Sequence, residues 1–156
     1  MLQAAEGAHE KLLNCEDLEM LVYGFVDPSE ETKQAVKAAT LLNPQNLFFI
    51  AILRPYTITK GCMRAPSGFT KKHLPEDSAY VKLRTTDGGE WLVRSLWQKP
   101  GRRMMLTKGW RKFAGENGLV GGDVCIFELI NNNNPVHLVL KVTVFRAIQY
   151  GGGLSN

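Results

Sequence analysis

The sequence predicts a mainly β protein, a closed or nearly closed barrel carrying two short helices and preceded by a partly helical acidic segment. Three observations point there. Charge divides sharply near residue 43: residues 1–43 hold 3 basic and 8 acidic side chains, net −5, and residues 44–156 hold 16 basic and 7 acidic, net +9. Hydrophobic spacing changes at Pro44 from a helical period to short extended runs. In the later part only two stretches carry helix start and stop signals, and closing a sheet hides the edges that so many strands would expose. With 156 residues there is room for one domain with its own core, and 44% hydrophobic against 22% charged residues excludes wholesale disorder.

Each element follows from local chemistry. Leu12, Leu13, Leu18, Leu21 and Val22 recur loosely at helical spacing, predicting a first helix. Asp27, Pro28 and Glu30 read as N-cap, first helical residue and capping-box acid, opening a helix from about Pro28 to Leu42 with Ala35, Ala39 and Leu42 on one side. Asn43 and Pro44 end it, because a residue before proline is pushed out of the α region. Leu47–Leu53 is an unbroken apolar run, suited to a strand covered on both faces. Ala79, Val81 and Leu83 alternate with polar residues, and Asp87, Gly88 and Gly89 turn the chain into Glu90–Trp97, a hairpin. Val124–Ile130 and Val136–Phe145 flank four asparagines and form another. One short helix should run from near Ser67 to Leu74, stopped by Pro75; the other should start from Thr107, bury Trp110 and Phe113, and stop at Asn117 and Gly118.

Several chemistries are disfavoured. No apolar stretch approaches the ~20 residues a membrane-spanning helix needs, and the N-terminus lacks a basic then apolar leader. Cys15, Cys62 and Cys125 form no CxxC pair, and His9, His73 and His137 are isolated, so no metal or other cofactor is expected. Ser67 lies in Ala-Pro-Ser-Gly-Phe, better suited to a helix cap than to a nucleophile elbow. Cys125 sits within an apolar strand, where its thiolate would be desolvated. An acid two positions before a lysine, as paired-carboxylate nucleases require, occurs at Glu31-Thr32-Lys33, which falls in the acidic helix rather than on a barrel strand. Gly118–Gly121 has the GxxG spacing of an RNA-clamping loop, but no basic helix follows it, so a tight turn is the expected purpose.

What remains is clustered basic charge. Arg54, Lys60, Arg64, Lys71 and Lys72 surround the loop-like stretch Pro55–Gly61; Arg94, Lys99, Arg102, Arg103, Lys108, Arg111 and Lys112 fill a second window. Those 12 side chains are three-quarters of the body's 16 basic residues, so the charge is local rather than spread. Pro100 and Gly101 make Trp97–Arg103 a loop or strand start from which Lys99, Arg102 and Arg103 project together. Such arms suit phosphates and the major groove, where arginine offers guanine a bidentate fork.

The segments LFFIAILRP (47–55), RAPSGFTKKHLP (64–75), WLVRSLW (91–97), GRRMMLTKGWRKFAGENGLVGGDVCIFELI (101–130) and LVLKVTVFR (138–146) resemble the plant-specific B3 DNA-binding domain, most closely its reproductive-meristem, vernalization-like branch. The resemblance implies a seven-stranded open β-barrel, the DNA-binding pseudobarrel, with two short helices and two arms that grip the major groove of double-stranded DNA. It places Lys60 and Arg64 on a first arm, beside Arg54, and Trp97, Gln98, Lys99, Arg102 and Arg103 on a second. Trp110, Phe113, Gly122 and Asp123 would be framework. The hormone-response branches use a histidine or asparagine pattern at the arms that this chain replaces with lysines, and mobile point charges imply weak sequence selectivity.

The expected organisation is an acidic arm or interdomain linker over 1–43, a B3-type domain over 44–148 and a Gly-rich flexible tail over 149–156. The expected role is non-enzymatic: DNA binding in plant transcriptional regulation in the nucleus, with no membrane or small-molecule substrate. Protein partners or further domains of a longer chain fit beside it, and a basic face meeting an acidic protein partner is the alternative.

Overall fold

The computed structural model of the chain describes residues 22–23, 28–74, 79–98, 103–130 and 138–151. Its strands are β1 (Val22–Tyr23), β2 (Phe48–Ile52), β3 (Met63–Arg64), β4 (Tyr80–Thr85), β5 (Glu90–Gln98), β6 (Arg103–Leu106), β7 (Val124–Ile130) and β8 (Leu138–Phe145). Its helices are α1 (Glu30–Leu42), α2 (Pro55–Thr59), α3 (Ser67–His73), α4 (Trp110–Glu116) and α5 (Ile148–Gly151). The sheet order is β1-β2-β7-β8-β4-β5-β6-β3. Strands β2 to β8 are the seven of the expected open barrel, and β1 adds a two-residue parallel edge through Val22↔Ile50 and Tyr23↔Ala51. Both hairpins form: Arg84 faces Glu90 across β4–β5, and Ile130 faces Val139 across β7–β8. Consecutive strands β2 and β3 lie near opposite ends of this order, so residues 53–62 draw the ends of the sheet toward each other and the sheet curls.

Burial on both faces of β2 explains its unbroken apolar run. Phe49, Ala51 and Leu53 point into the curl, where they join Val81, Leu83, Val93, Leu106, Trp110, Phe113, Phe127 and Leu140. The alternate residues Phe48, Ile50 and Ile52 join Val124 and Ile126 on the opposite face, beneath Ala35, Val36 and Ala39 of α1. Each large apolar side chain so buried contributes about 1.5–3 kcal/mol relative to exposure. Phe49 stacks on Phe127 at 4.9 Å between ring centroids, and Phe113 meets Trp91 edge-on at 5.1 Å.

Helix α1 ends at Leu42 as expected but starts later and buries a different stripe. Its N-cap is Ser29, whose hydroxyl oxygen accepts from Thr32 N at 3.1 Å, in place of Asp27. Thr32 Oγ1 in turn donates to the Gly122 carbonyl at 2.8 Å, and that tertiary bond fixes the later start. The buried stripe is Thr32, Ala35, Val36, Ala39 and Thr40, spaced i, i+3, i+4, i+7 and i+8, and Leu42 is left half exposed. Asn43 ends the helix in the left-handed conformation, φ 45°. The expected helix over Leu12–Val22 lies outside the described residues except at Val22, which is in β1.

The expected division at residue 43 falls within packed structure. Helix α1 covers the sheet, and Tyr150 of α5 packs against the same apolar cluster, so residues 30–42 and 148–151 are part of the body. Helix α3 forms as expected, with Leu74 following it, although Pro66 rather than Ser67 occupies the N-cap. Helix α4 is capped by Gly109 and not by Thr107. Thr107 instead donates its hydroxyl to the Arg94 carbonyl at 3.4 Å. Gly109 has φ 101°, and a Cβ there would stand 2.7 Å from the Leu92 carbonyl oxygen, so no side chain fits where α4 starts against β5.

Candidate nucleic-acid interface

The first arm is a short helix where the sequence indicated a loop. In α2, Pro55 takes the first helical position, and Arg54 N donates to Thr57 Oγ1 at 3.4 Å. Helix α4 then holds it: buried Trp110 donates Nε1–H to the Thr57 carbonyl at 3.2 Å, and Arg111 Nη2 donates to the Thr59 carbonyl. Pro55 lies so close to Gly121 that a Cβ there would meet its ring at 2.8 Å. Gly61, φ 73°, turns the chain out of the helix into β3, leaving Lys60 exposed at the helix end and Arg64 exposed opposite Met105. Arg54 is half-buried. Tyr56, with 53% of its surface exposed on this arm, was not singled out by its sequence context.

The second arm is the free end of the β5–β6 hairpin. Ser95 faces Leu106, Leu96 faces Met105, Trp97 faces Met104 and Gln98 faces Arg103. Because facing residues share a side of the sheet, Trp97 falls on the core row beside buried Met104 and packs against the barrel interior, while Gln98 and Arg103 stand outward and exposed. Lys99 and Arg102 lie outside the described residues.

The arms meet at a cleft of about 230 Å³, lined by Arg64, Pro66, Ser67, Gln98, Arg103 and Met105 among others. Thus Arg64, Gln98 and Arg103 come together, whereas Arg54, Lys60 and Trp97 are not in its walls. Other basic residues have structural partners. Arg111 holds α2; Arg84 and Lys82 pair with Glu90 at 2.9 and 3.6 Å; Arg146 donates to the Asn117 carbonyl at 2.5 Å and the Gly118 carbonyl at 2.8 Å. Counting charge along the chain cannot separate these from free arms. Ser67 was read only as a cap, and no spacing rule marks it as part of the cleft.

Asp123 carries the framework role expected of it. It is 1% exposed, and its carboxylate accepts from Val120 N and Ala147 N, each at 3.0 Å, with Arg146 at 3.8 Å. The Gly118–Gly122 stretch is a turn, with Gly118 at φ 63° and Gly122 at φ 95°. Burial, then the neighbouring Asp123 charge, pushes the Cys125 thiol far above its usual range. Burial, followed by the Lys72 charge, lowers the pKa of His73, whose ring lies 5.0 Å from that of Phe69. Among the described residues no three His, Cys, Asp or Glu side chains gather as a metal site, and no helix is long and apolar enough to cross a membrane.

The profile of the B3 DNA binding domain matches residues 48–147. The chain belongs to the B3 DNA-binding domain family. The B3 domain is a DNA-binding domain and not an enzyme. Among curated relatives, the B3 domain-containing transcription factor VRN1 of Arabidopsis thaliana is 42% identical over 123 residues, covering 78% of this chain and 34% of that protein. The B3 domain-containing protein REM-like 1 of Arabidopsis thaliana is 35% identical over 97 residues, 62% of this chain and 12% of that protein. These are the vernalization-type and reproductive-meristem relatives that the sequence motifs indicated. The chain therefore spans about a third or less of the relatives it matches. The solved structure of a hypothetical Arabidopsis thaliana protein superposes with TM-score 0.52 at 22% identity, covering 65% of this chain and 91% of that one; it shares the fold.

Proposed function

We propose that this B3 domain holds double-stranded DNA between its two arms in the major groove, mainly through backbone phosphates and with weak sequence selectivity. Its place is in a nuclear regulator of plant transcription, as the transcription-factor relative VRN1 supports. The observation that carries the reading is the shared cleft: Arg64 of the first arm and Gln98 and Arg103 of the second line one surface.

Arg103, with Arg102 next to it in sequence, supplies planar donors near the groove, and Lys60, Arg64 and Lys99 supply phosphate contacts. Arg54 sits at the start of α2 and sets the arm's base. Gln98 is the residue of this set best suited to an adenine edge. Trp97 stiffens the hairpin stem from the core side. The unit that performs this includes α1 and α5, which complete the packing of the sheet.

Amide-resolved titration of the chain with a short duplex tests the assignment. Signal changes should concentrate in residues 54–67 and 96–105. Changes confined to α1 and the β7–β8 face, or none at all, would contradict it.

A further inference from the structure

The cleft contains a residue that the DNA reading does not yet use. Ser67 is exposed at the start of α3 and lines the same walls as Arg64, Gln98 and Arg103. Pro66 fills the N-cap without a side-chain bond, so the Ser67 hydroxyl is not spent on the helix. Among the described residues, the side chains of Arg64, Ser67, Gln98 and Arg103 make no hydrogen bond or ion pair with one another or with a neighbour. Two guanidinium groups thus face one cleft, and among its described lining residues there is no carboxylate.

The position of Ser67 is fixed. Ala65 N donates to the Met104 carbonyl at 3.1 Å, continuing the β3–β6 pairing, and this lays residues 65–67 alongside Arg103. A serine side chain is short, so whatever it touches must come close to the start of α3, in the cleft whose lining includes both arginines. Pro66, Met104 and Met105 add apolar wall. An anionic oxygen with aliphatic carbon beside it satisfies all of these surfaces, and a phosphodiester with its deoxyribose methylene is such a group.

We propose that this cleft seats one backbone phosphate of the duplex, with Ser67 as the uncharged donor that positions it between Arg64 and Arg103. This rests on the DNA-binding reading above and extends it to a residue and a contact type. Ser67 acts on the nucleic acid whatever its sequence, because every nucleotide carries the same diester.

A double-mutant cycle on the full chain, measured with two unrelated duplexes, tests it. Ser67→Ala should weaken binding roughly two- to tenfold, the range of one hydrogen bond, and equally for both duplexes. Ser67→Thr, which keeps the hydroxyl, should restore most of the loss. In an Arg103→Ala background the Ser67→Ala loss should shrink, because the two side chains serve one phosphate; in a Lys60→Ala background it should persist in full. The salt dependence of binding should be unchanged by Ser67→Ala and shallower by roughly one unit of slope for Arg103→Ala. Unaltered affinity of Ser67→Ala, additive losses with Arg103→Ala, or a loss confined to one duplex would each overturn the proposal. Absence of duplex binding by the unmodified chain is a different result, and it would remove the DNA reading itself.

Discussion

Trp110 and Thr57, 53 positions apart, are joined by a buried hydrogen bond of 3.2 Å from the indole Nε1 to the main-chain carbonyl. It ties the helix behind the barrel to the helix that forms the first arm. Trp110→Phe keeps most of the apolar contact and deletes the donor, leaving a buried carbonyl unsatisfied. The expected cost is about 1–3 kcal/mol of folding stability, read by chemical denaturation. Loss of the anchor should also weaken duplex binding, although Trp110 itself is fully buried.

Asp123 organises the turn before β7 by accepting from two main-chain amides of different segments. Asp123→Ala leaves both donors without a partner in a dry site, and destabilisation of about 2–5 kcal/mol is expected. Asp123→Asn retains one acceptor oxygen and should cost less. Thermal melts of the three proteins side by side check the order.

Gly109 combines a left-handed φ with a carbonyl oxygen where a Cβ would lie. Gly109→Ala should destabilise by at least about 2 kcal/mol, whereas Gly88→Ala, whose φ of 95° is unfavourable but whose surroundings are open, should cost less. Comparing their denaturation midpoints separates backbone strain from collision.

Asp87 in the β4–β5 turn has its pKa lowered, first by the Thr85 hydroxyl and then by the Gly89 amide. A carboxylate whose folded pKa lies below its unfolded value stabilises the fold above the unfolded pKa, and loses that contribution as pH falls through the folded one. The difference in melting temperature between the parent and Asp87→Ala should therefore be constant near neutrality and shrink below about pH 4. A difference that persists unchanged in acid would contradict this.

Strand order in time, hairpin turns and the two short helices were legible because period, Gly-Asp turns and proline stops are local signals. The docking of α1 was not. Ala35, Ala39 and Leu42 read as one side of an ordinary helix, and the surface that Ala35, Val36 and Ala39 cover, Phe48, Ile50, Ile52, Val124 and Ile126, is assembled from strands far apart in the chain. The change of charge sign at residue 43 marks composition and not packing. In the candidate site, Arg64, Gln98 and Arg103 were recognisable as arm residues, but Arg111 stood in the same basic window and proves to be an anchor. Ser67 could be found only once strand pairing had laid residues 65–67 beside Arg103.

A chain that starts at residue 44 exposes the apolar face that α1 covers. It should melt at a lower temperature, bind an apolar dye more strongly and self-associate, and fluorescence with light scattering will show this. Full stability without residues 1–43 would mean that α1 adds nothing to the fold.

The central claim is that two arms neutralise backbone phosphates with little regard to base sequence. Fluorescence anisotropy of the full chain with two unrelated duplexes over a salt series tests it most directly, beside an Arg102→Ala, Arg103→Ala double variant. With about five phosphates neutralised, log affinity should fall against log salt with a slope of roughly −4 to −5 for both duplexes, and the double variant should bind weakly and with a shallower slope. A strong preference for one duplex, a flat salt response, or a double variant that binds like the parent would contradict the account.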